Sequence, residues 1–433
     1  MNEPAPASLP RLLAGLEAGR ALRLDEHIAV HGTAPLGREA FDIKRLIATL
    51  EQCALRGRGG GGFPVAAKLG AVARARRAPV VVVNGVEAEP VSEKDRTLLG
   101  QSPHLVLDGA QVAAAALSAG EVMICTPGSS EWVTAAVSAA VAERSGRLAD
   151  VPMRVVPIPD AYVAGEETAV VSYLNDGTPL PTWRPPYVFE RGVARRPTLV
   201  NNAETLAHIA LIVRHGIDWF RQLGTTERPG STLITLSGAV LAPGVYEAAY
   251  GTPIASLIEN AGGQPAELRA LLVGGCGGSF VPAGAITELT LDDESLHRAG
   301  AALGPGVIVA MPQSSCGVAE TVALAEYLAR ASARQCGPCQ FGLPAIAKSL
   351  RIITSGTADA RERKRMEGWL QDVHGRGACR HPDAAIRVIR SALAVFSQEF
   401  AEHAHHGPCH ACDQPGGPLT LGRHAYEAIA GRA

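Results

Sequence analysis

The apolar positions of this chain follow two rhythms that change along its length. Across residues 41–55, Ile43, Leu46, Ile47 and Leu50 recur at three- and four-residue intervals, the period of an amphipathic helix. A stretch of bare backbone, "RGRGGGGFP", comes next, and Pro64 then heads "VAAKLGAVARARR", which reads as a second helix with proline at its first position. "APVVVVNGVEAEP" is a continuous apolar run that ends in an acidic turn, the pattern of a buried strand. Helix and strand patterns alternate through "GAQVAAAALSAG", "EVMICT", "WVTAAVSAAVAERSG" and "MRVVPIP", which predicts an α/β layered fold. Between "STLITLSGAV" and "LLVGGCGGSFVP", two strand signals flank "GTPIASLIENAGG", a helix closed by glycine, and predict a small mixed β domain. From Cys316 onward the helical period returns in Val318, Val322, Ala325 and Leu328, then Leu343, Ile346 and Leu350, then Ile386, Ile389, Leu393, Phe396 and Phe400. Those runs predict a helical bundle. The last stretch, from "HAHHGPCHACDQ" to the end, is too rich in glycine, proline and histidine for core and reads as an appended tail.

Composition narrows the function classes. At 433 residues the chain exceeds the size of one hydrophobic core, and 47% hydrophobic with 19% charged residues excludes a disordered protein. A formal charge of −2 gives no pull toward nucleic acid or an anionic membrane, and 4% aromatics offer no stacking surface for bases. No apolar run approaches the ~18 residues of a membrane-spanning helix, and "MNEPAPASLPRLL" lacks the basic-then-apolar start of a secretory signal. The expectation is a cytoplasmic protein without nucleic-acid binding or membrane insertion. Nine cysteines in such a chain point to metal or redox chemistry, and Cys336, Cys339, Cys379, Cys409 and Cys412 all lie in its last quarter.

Gly57, Gly59 and Gly62 satisfy G-x-G-x-x-G, but a helix pattern precedes them where the dinucleotide fingerprint needs a strand. Loop amides and a helix N-terminus beside Arg56, Arg58 and Lys68 suit a phosphate instead. Three polar clusters follow: "NGVEAEPVSEKDR" from Asn84, "YVAGEETA" from Tyr162 and "PTLVNNAETL" from Pro197. In this order, with a Cys-x-x-Cys downstream, the chain resembles the flavin-bearing, NADH-binding subunit of respiratory complex I and its relatives in soluble hydrogenases and formate dehydrogenases. The resemblance runs from about Phe41 to Phe400. It implies an N-terminal extension over 1–40, an α/β flavin domain with a glycine-rich phosphate loop over 41–228, a β-grasp (ubiquitin-like) domain over 229–305, an iron-sulfur helical bundle over 306–403 and a Cys/His tail over 404–433. It implies FMN held by Gly57, Gly59, Lys68, Asn84, Glu87, Gly165, Glu166, Glu167, Asn201, Asn202 and Thr205, with Glu166 and Glu167 tuning the flavin. Glu89 would accept the ribose hydroxyls of NAD(P)H, and Phe63 with the basic-aromatic pair Arg184 and Tyr187 would help to hold the dinucleotide.

Several residues depart from the family pattern. Asn84-Gly85-Val86-Glu87 stands where the family has Asn-Ala-Asp-Glu, and is similar to the related subunit of membrane ferredoxin:NAD reductase. Lys68-Leu69-Gly70-Ala71 replaces Lys-Trp-x-Phe. The family's 4Fe-4S cluster uses Cys-x-x-Cys-x-x-Cys and a later fourth cysteine. Alignment makes Cys336, Cys339 and Cys379 the last three and puts Ala333 in place of the first. The missing donor is sought in Cys409 or Cys412 of the tail, or in His381; the tail pair is also a zinc pattern. Cys53, Cys125 and Cys276 read as core residues. The reading is an FMN-dependent NAD(P)H oxidoreductase that passes electrons through an iron-sulfur cluster to a ferredoxin-like or complex I-like partner. Its rivals are a redox-inactive scaffold or assembly protein of the same fold, and a thiol-disulfide or zinc protein built on Cys409 and Cys412.

Overall fold

The computed structural model describes residues 8–16, 19–34, 42–357 and 360–413; the first seven residues and the tail beyond 413 lie outside the described residues. The chain divides into two compact units. The first comprises the chain to Ala88, Glu93–Ile234 and Val245–Thr252; the second comprises Glu89–Ser92, Thr235–Gly244 and the chain from Pro253.

In the first unit α1 (Leu24–His31) precedes α2 (Ile43–Gln52), whose start is capped by Asp42 accepting from the Lys44 amide at 2.9 Å and which buries Leu46 and Leu50. The glycine loop links α2 to α3 (Val65–Ala73), with Pro64 one position earlier than the sequence suggests, at the cap. The chain continues through β1 (Val80–Asn84), α4 (Lys94–Gln101), α5 (Pro103–Leu117), β2 (Glu121–Pro127), α6 (Glu131–Arg144), β3 (Met153–Ile158), α7 (Glu167–Asp176), β4 (Thr198–Asn202) and α8 (Ala203–Arg221). The four strands form a parallel sheet ordered β3-β2-β1-β4. Gly109 lets α5 lie directly on α8: a Cβ there would come within 1.7 Å of the Leu206 carbonyl oxygen. The register pairs Val83 with Asn201 and Asn84 with Asn202, so the polar residues of β1 and β4 collect at the C-terminal edge of the sheet. Ligands of open α/β sheets bind at that edge.

The chain then runs through β5 (Ser231–Gly238), β6 (Gly244–Ala249), α9 (Ile254–Asn260), β7 (Leu268–Val273), β8 (Ser279–Pro282), α10 (Asp293–Arg298) and β9 (Val307–Pro312). The strand order is β6-β5-β9-β7-β8, with β5 parallel to β9, and β7 antiparallel to both β8 and β9. "LLVGGCGGSFVP" resolves into a hairpin that turns at Gly274 and Gly275, both in the left-handed region at φ 92° and 75°. Among the described residues five α-helices follow: α11 (Gly317–Arg330), α12 (Leu343–Thr354), α13 (Ala360–Val373), α14 (His381–Val395) and α15 (Ser397–His406). The apolar run from Ile386 to Phe400 breaks at Phe396 (φ −103°), whose ring packs edge-on to Phe280 and fills the space left by Gly317. No helix among the described residues is long and apolar enough to cross a membrane.

Candidate functional site

The glycine loop is closed on itself: the Gly57 amide donates to the Phe63 carbonyl at 2.9 Å, and Arg56 bridges Pro64. Gly60 and Gly62 take positive φ (95° and 57°), which only glycine adopts at little cost. At Gly57, Gly59 and Gly61 a Cβ would meet no protein atom closer than 3.4 Å, so packing within the protein does not account for those three glycines. The base of the loop is fixed by Arg58, whose amide donates to Thr205 Oγ1 at 2.9 Å. Arg58 itself is turned inward: its guanidinium donates to the Tyr250 hydroxyl and to the Ser231 carbonyl at 3.1 Å, and lies 3.8 Å from Glu204. It anchors the loop from beneath and is not an exposed cation for an anion. Lys68 is the exposed-side cation, half-buried on α3, with Nζ 2.8 Å from both Glu167 Oε2 and the Val200 carbonyl.

Glu166 caps α7, accepting from the Thr168 and Ala169 amides at 2.8 and 3.2 Å, and also pairs with Arg184; Arg184 lies 3.2 Å from Glu167. Lys68, Glu166, Glu167 and Arg184 thus form one alternating charge cluster. Arg184 and Tyr187 are not brought together as a basic-aromatic pair: the Tyr187 ring stacks on Phe189 at 5.2 Å while the guanidinium turns to the carboxylates. Phe63 is exposed, as is Trp183, an aromatic beside Arg184 that sequence reasoning passed over. Asn84 Nδ2 donates to the Gly165 carbonyl at 2.8 Å, and Gly165 lies so close to Ala88 that a Cβ would reach 2.9 Å from its Cβ. Asn201 is buried, and its Nδ2 has no hydrogen-bond partner among the described residues.

Beneath this surface lies a charged core that the sequence concealed. Lys94, 2% exposed, meets Asp95 at 2.8 Å, Glu204 at 3.1 Å and the Asn202 side-chain oxygen at 3.1 Å. Asn202 caps α8 and donates to Asp95 at 2.6 Å. Burial alone would raise the Glu204 carboxyl, but Lys94, His208 and Arg58 hold it down at about 2. Glu87 closes α4 from its N-terminus, accepting from the Asp95 and Arg96 amides at 2.8 and 2.7 Å; burial, then the neighbouring Asp95, push its carboxyl up to about 7. Glu87, Asn202 and Thr205 are therefore engaged in holding the site's framework.

Glu89 is grouped with the second unit, where it accepts from the Cys276 amide at 3.1 Å and packs so closely on Gly275 that a Cβ there would come within 2.7 Å of Oε2. Cys336 and Cys339 open a π turn over Pro338–Gly342, and Cys379 stands just before α14. Burial, then the neighbouring Cys336 and Cys379 thiols, push the Cys339 thiol up to about 12, with the Ser332 hydroxyl hydrogen-bonded to it. Three thiols of the expected set are thus neighbours. His381 commits Nε2 to the Leu328 carbonyl at 2.8 Å. The described start of the tail does return to the helices of the second unit, but not to these three thiols. Cys409 and Cys412 meet Cys316 and His403, with all four donor atoms within 4.8 Å of one another. Sequence reasoning missed Cys316 and His403; the run His403-x5-Cys409-x2-Cys412 was the signal for the second of them.

Residues 50–211 match the Nuo51 FMN-binding domain, and residues 319–403 match the NADH-ubiquinone oxidoreductase-F iron-sulfur binding region. The chain is 32% identical to an NADH-quinone oxidoreductase F subunit of Rhizobium meliloti (strain 1021), the one numbered 2, over 84% of this chain and 90% of that one. The chain belongs to the family of NADH-quinone oxidoreductase F subunits. The F subunit of the Escherichia coli (strain K12) enzyme is 31% identical over 82% of this chain and 83% of its own. The solved NAD+-reducing [NiFe]-hydrogenase in its air-oxidised state superposes with a TM-score of 0.81 at 28% identity, covering 99% of this chain and 71% of that chain. The family's FMN suits what is observed at the first sheet: loop glycines that leave room for a ligand, a buried amide donor at Asn201 awaiting an acceptor, and a cation at Lys68 for a phosphate. On the second unit, three neighbouring thiols suit three irons of a 4Fe-4S cluster.

Proposed function

We propose that this chain is the NADH-oxidising, FMN- and iron-sulfur-bearing module of a multisubunit redox complex, acting in the cytoplasm with a ferredoxin-like or complex I-like partner. The observation that carries the proposal is the open glycine loop beside the C-terminal edge of β1 and β4, with the Asn201 side-chain Nδ2 at that edge without a partner among the described residues. FMN, when bound, supplies the exchange between the two electrons of a hydride and the single electrons an iron-sulfur cluster accepts. The amides of Gly57 and Gly59 with Lys68 would hold its phosphate, and Asn84, Gly165 and Asn201 would bond its polar edge. Glu166 and Glu167 would stand beside the ring and tune it, with Lys68 and Arg184 paired to them. Glu87, Asn202 and Thr205 serve as positioning residues. Glu89 is our acceptor for the ribose hydroxyls of the nicotinamide dinucleotide, with Phe63 and Tyr187 as exposed aromatic surfaces for it. We read 41–228 as the flavin domain, 229–305 as a β-grasp domain and 306–403 as the iron-sulfur bundle. The order of a parallel sheet, a mixed sheet and five helices supports that division.

An anaerobic preparation assayed for flavin, iron and sulfide, then titrated with NADH and with NADPH, tests this reading. Bound FMN and iron, with flavin absorbance bleached by NADH, is the expected result. Colourless protein that takes up no FMN would overturn it in favour of a scaffold.

A further inference from the structure

Four side chains of metal-ligating type converge in the second unit, with none of Cys336, Cys339 and Cys379 among them. Cys316 is the N-cap of α11, His403 lies in the last turn of α15, and Cys409 and Cys412 bracket the turn just beyond that helix. Their donor atoms are evenly spaced. Cys412 Sγ is 3.5 Å from Cys316 Sγ and 3.7 Å from Cys409 Sγ, and His403 Nε2 is 3.6 Å from Cys316 Sγ and 3.9 Å from Cys412 Sγ. With Zn–S bonds of about 2.3 Å and Zn–N bonds of about 2.0–2.1 Å, a tetrahedron has S···S edges of about 3.8 Å and S···N edges of about 3.6 Å. We propose that Cys316, His403, Cys409 and Cys412 bind one Zn²⁺ as a closed structural site that staples the C-terminal extension to the start of α11.

The alternatives fit less well. A disulfide needs sulfurs about 2.0 Å apart, and the Cys412 sulfur stands 3.5 Å from that of Cys316 and 3.7 Å from that of Cys409. In a cubane each ligand binds a different iron and points outward, so the four donors stand farther apart than these do. Four protein donors leave no open coordination position, so the site is structural and not catalytic. Its surroundings are preorganised. Three thiolates around Zn²⁺ leave a net negative charge, and the Ala319 amide at the N-terminus of α11 points at Cys316 Sγ from 3.3 Å. One turn before His403, Glu399 accepts from the Gly317 amide at 3.0 Å and pairs with Arg269, which fixes α15 against the first residue of α11. His403 and Cys316 are buried, whereas Cys409 is exposed, so the tail closes over a half-built site.

The test is metal and sulfide counting on the full chain, purified without a histidine tag or chelator, with Cys409→Ser, Cys412→Ser and His403→Cys beside it. One zinc per chain is expected in addition to iron. It should fall to near zero in the two serine variants with iron, sulfide and FMN retained, and remain in the His403→Cys variant. Cobalt exchanged into the site should show tetrahedral thiolate bands that Cys409→Ser abolishes. Because Cys409 is exposed, its variant reads the site even where substitution at buried Cys316 prevents folding. Iron- and flavin-replete protein without zinc would overturn the proposal, as would a single iron at this site or zinc lost only together with iron and sulfide. A flavin-free chain that still carries the zinc would sink the proposed function and leave this site standing.

Discussion

Beneath the glycine loop, unlike charges answer one another: Lys94 meets Asp95 and Glu204, Arg58 meets Glu204, and Asn202 closes the circuit to Asp95. In the helices of the second unit the polar groups are alike. Cys339 faces Cys336 and Cys379, and Cys412 faces Cys316 and Cys409. A network of opposite charges is satisfied before any ligand arrives, so the sheet edge above it is a preformed surface. Thiols that ionise together repel one another, and only a cation makes their grouping favourable, which couples such sites to metal loading and folding. The first unit should therefore keep its shape without FMN, while the cysteine sites should depend on what they bind.

The largest expected effect breaks the first half of that comparison. Lys94→Met leaves Asp95 buried without its cation and Glu204 with only the more distant Arg58, and removing one partner of a buried ion pair costs about 3–5 kcal/mol. Urea unfolding of the flavin-free chain should show that loss in the first unit. An unchanged midpoint with weakened FMN binding would make Lys94 a ligand contact and not part of the framework.

Much of the fold could be read locally. The spacing of Ile43, Leu46, Ile47 and Leu50 announces α2, four consecutive valines announce β1, and Gly-Glu-Glu marks a helix start that Glu166 does cap. What escaped were partnerships across long sequence gaps. "SEKDR" looks like a solvated helix start, yet Lys94 is buried because Glu204, 110 residues away, arrives beside it at the head of α8. Arg58 looks like an anion-binding residue beside glycines, yet Tyr250 and Ser231 draw it inward. Cys316 carries no motif of its own, because its partners come from the end of α15 and the turn after it. Local periodicity encodes elements; these contacts exist only once elements pack.

Lys68→Ala sharpens the claim that the loop binds a phosphate. Loss of a charge-assisted contact costs about 1.5–3 kcal/mol, so FMN affinity should fall roughly ten- to a hundredfold in a fluorescence titration. The melting of the flavin-free protein should change little, since Lys68 is half-buried and its partner Glu167 keeps Arg184. Equal FMN affinity in wild type and variant would remove Lys68 from the site.

Acid should act on the first unit through its histidines. His31 and His104 are buried beside His27, and burial first, then that neighbour, lowers them to about 3 and about 4. Folded values below the unfolded value near 6.5 mean that the stability is fully present above pH 6.5 and is lost as pH falls toward 4 and 3. At pH 5 each such group removes about 2 kcal/mol. His31→Leu should therefore recover about that much at pH 5 and little at pH 8, measured by urea midpoints at both values. A gain of equal size at both would show a packing effect without titration.

The smallest effect tests a residue that stands in the turn after β1 yet is grouped with the second unit. Glu89 accepts from the Cys276 amide, and a glutamine oxygen can accept that same bond, so Glu89→Gln keeps the local fold while removing the charge. If the carboxylate receives the ribose hydroxyls, exchanging a charge-assisted bond for a neutral one costs about 1 kcal/mol, a roughly fivefold rise in KM for NADH. kcat and bound FMN should hold, because the interaction is made equally before and during hydride transfer. An unchanged KM would confine Glu89 to bracing the Gly275–Cys276 turn. Loss of FMN instead would mean that the acid serves the flavin, and the division of labour between the acidic turn and the glycine loop would have to be redrawn.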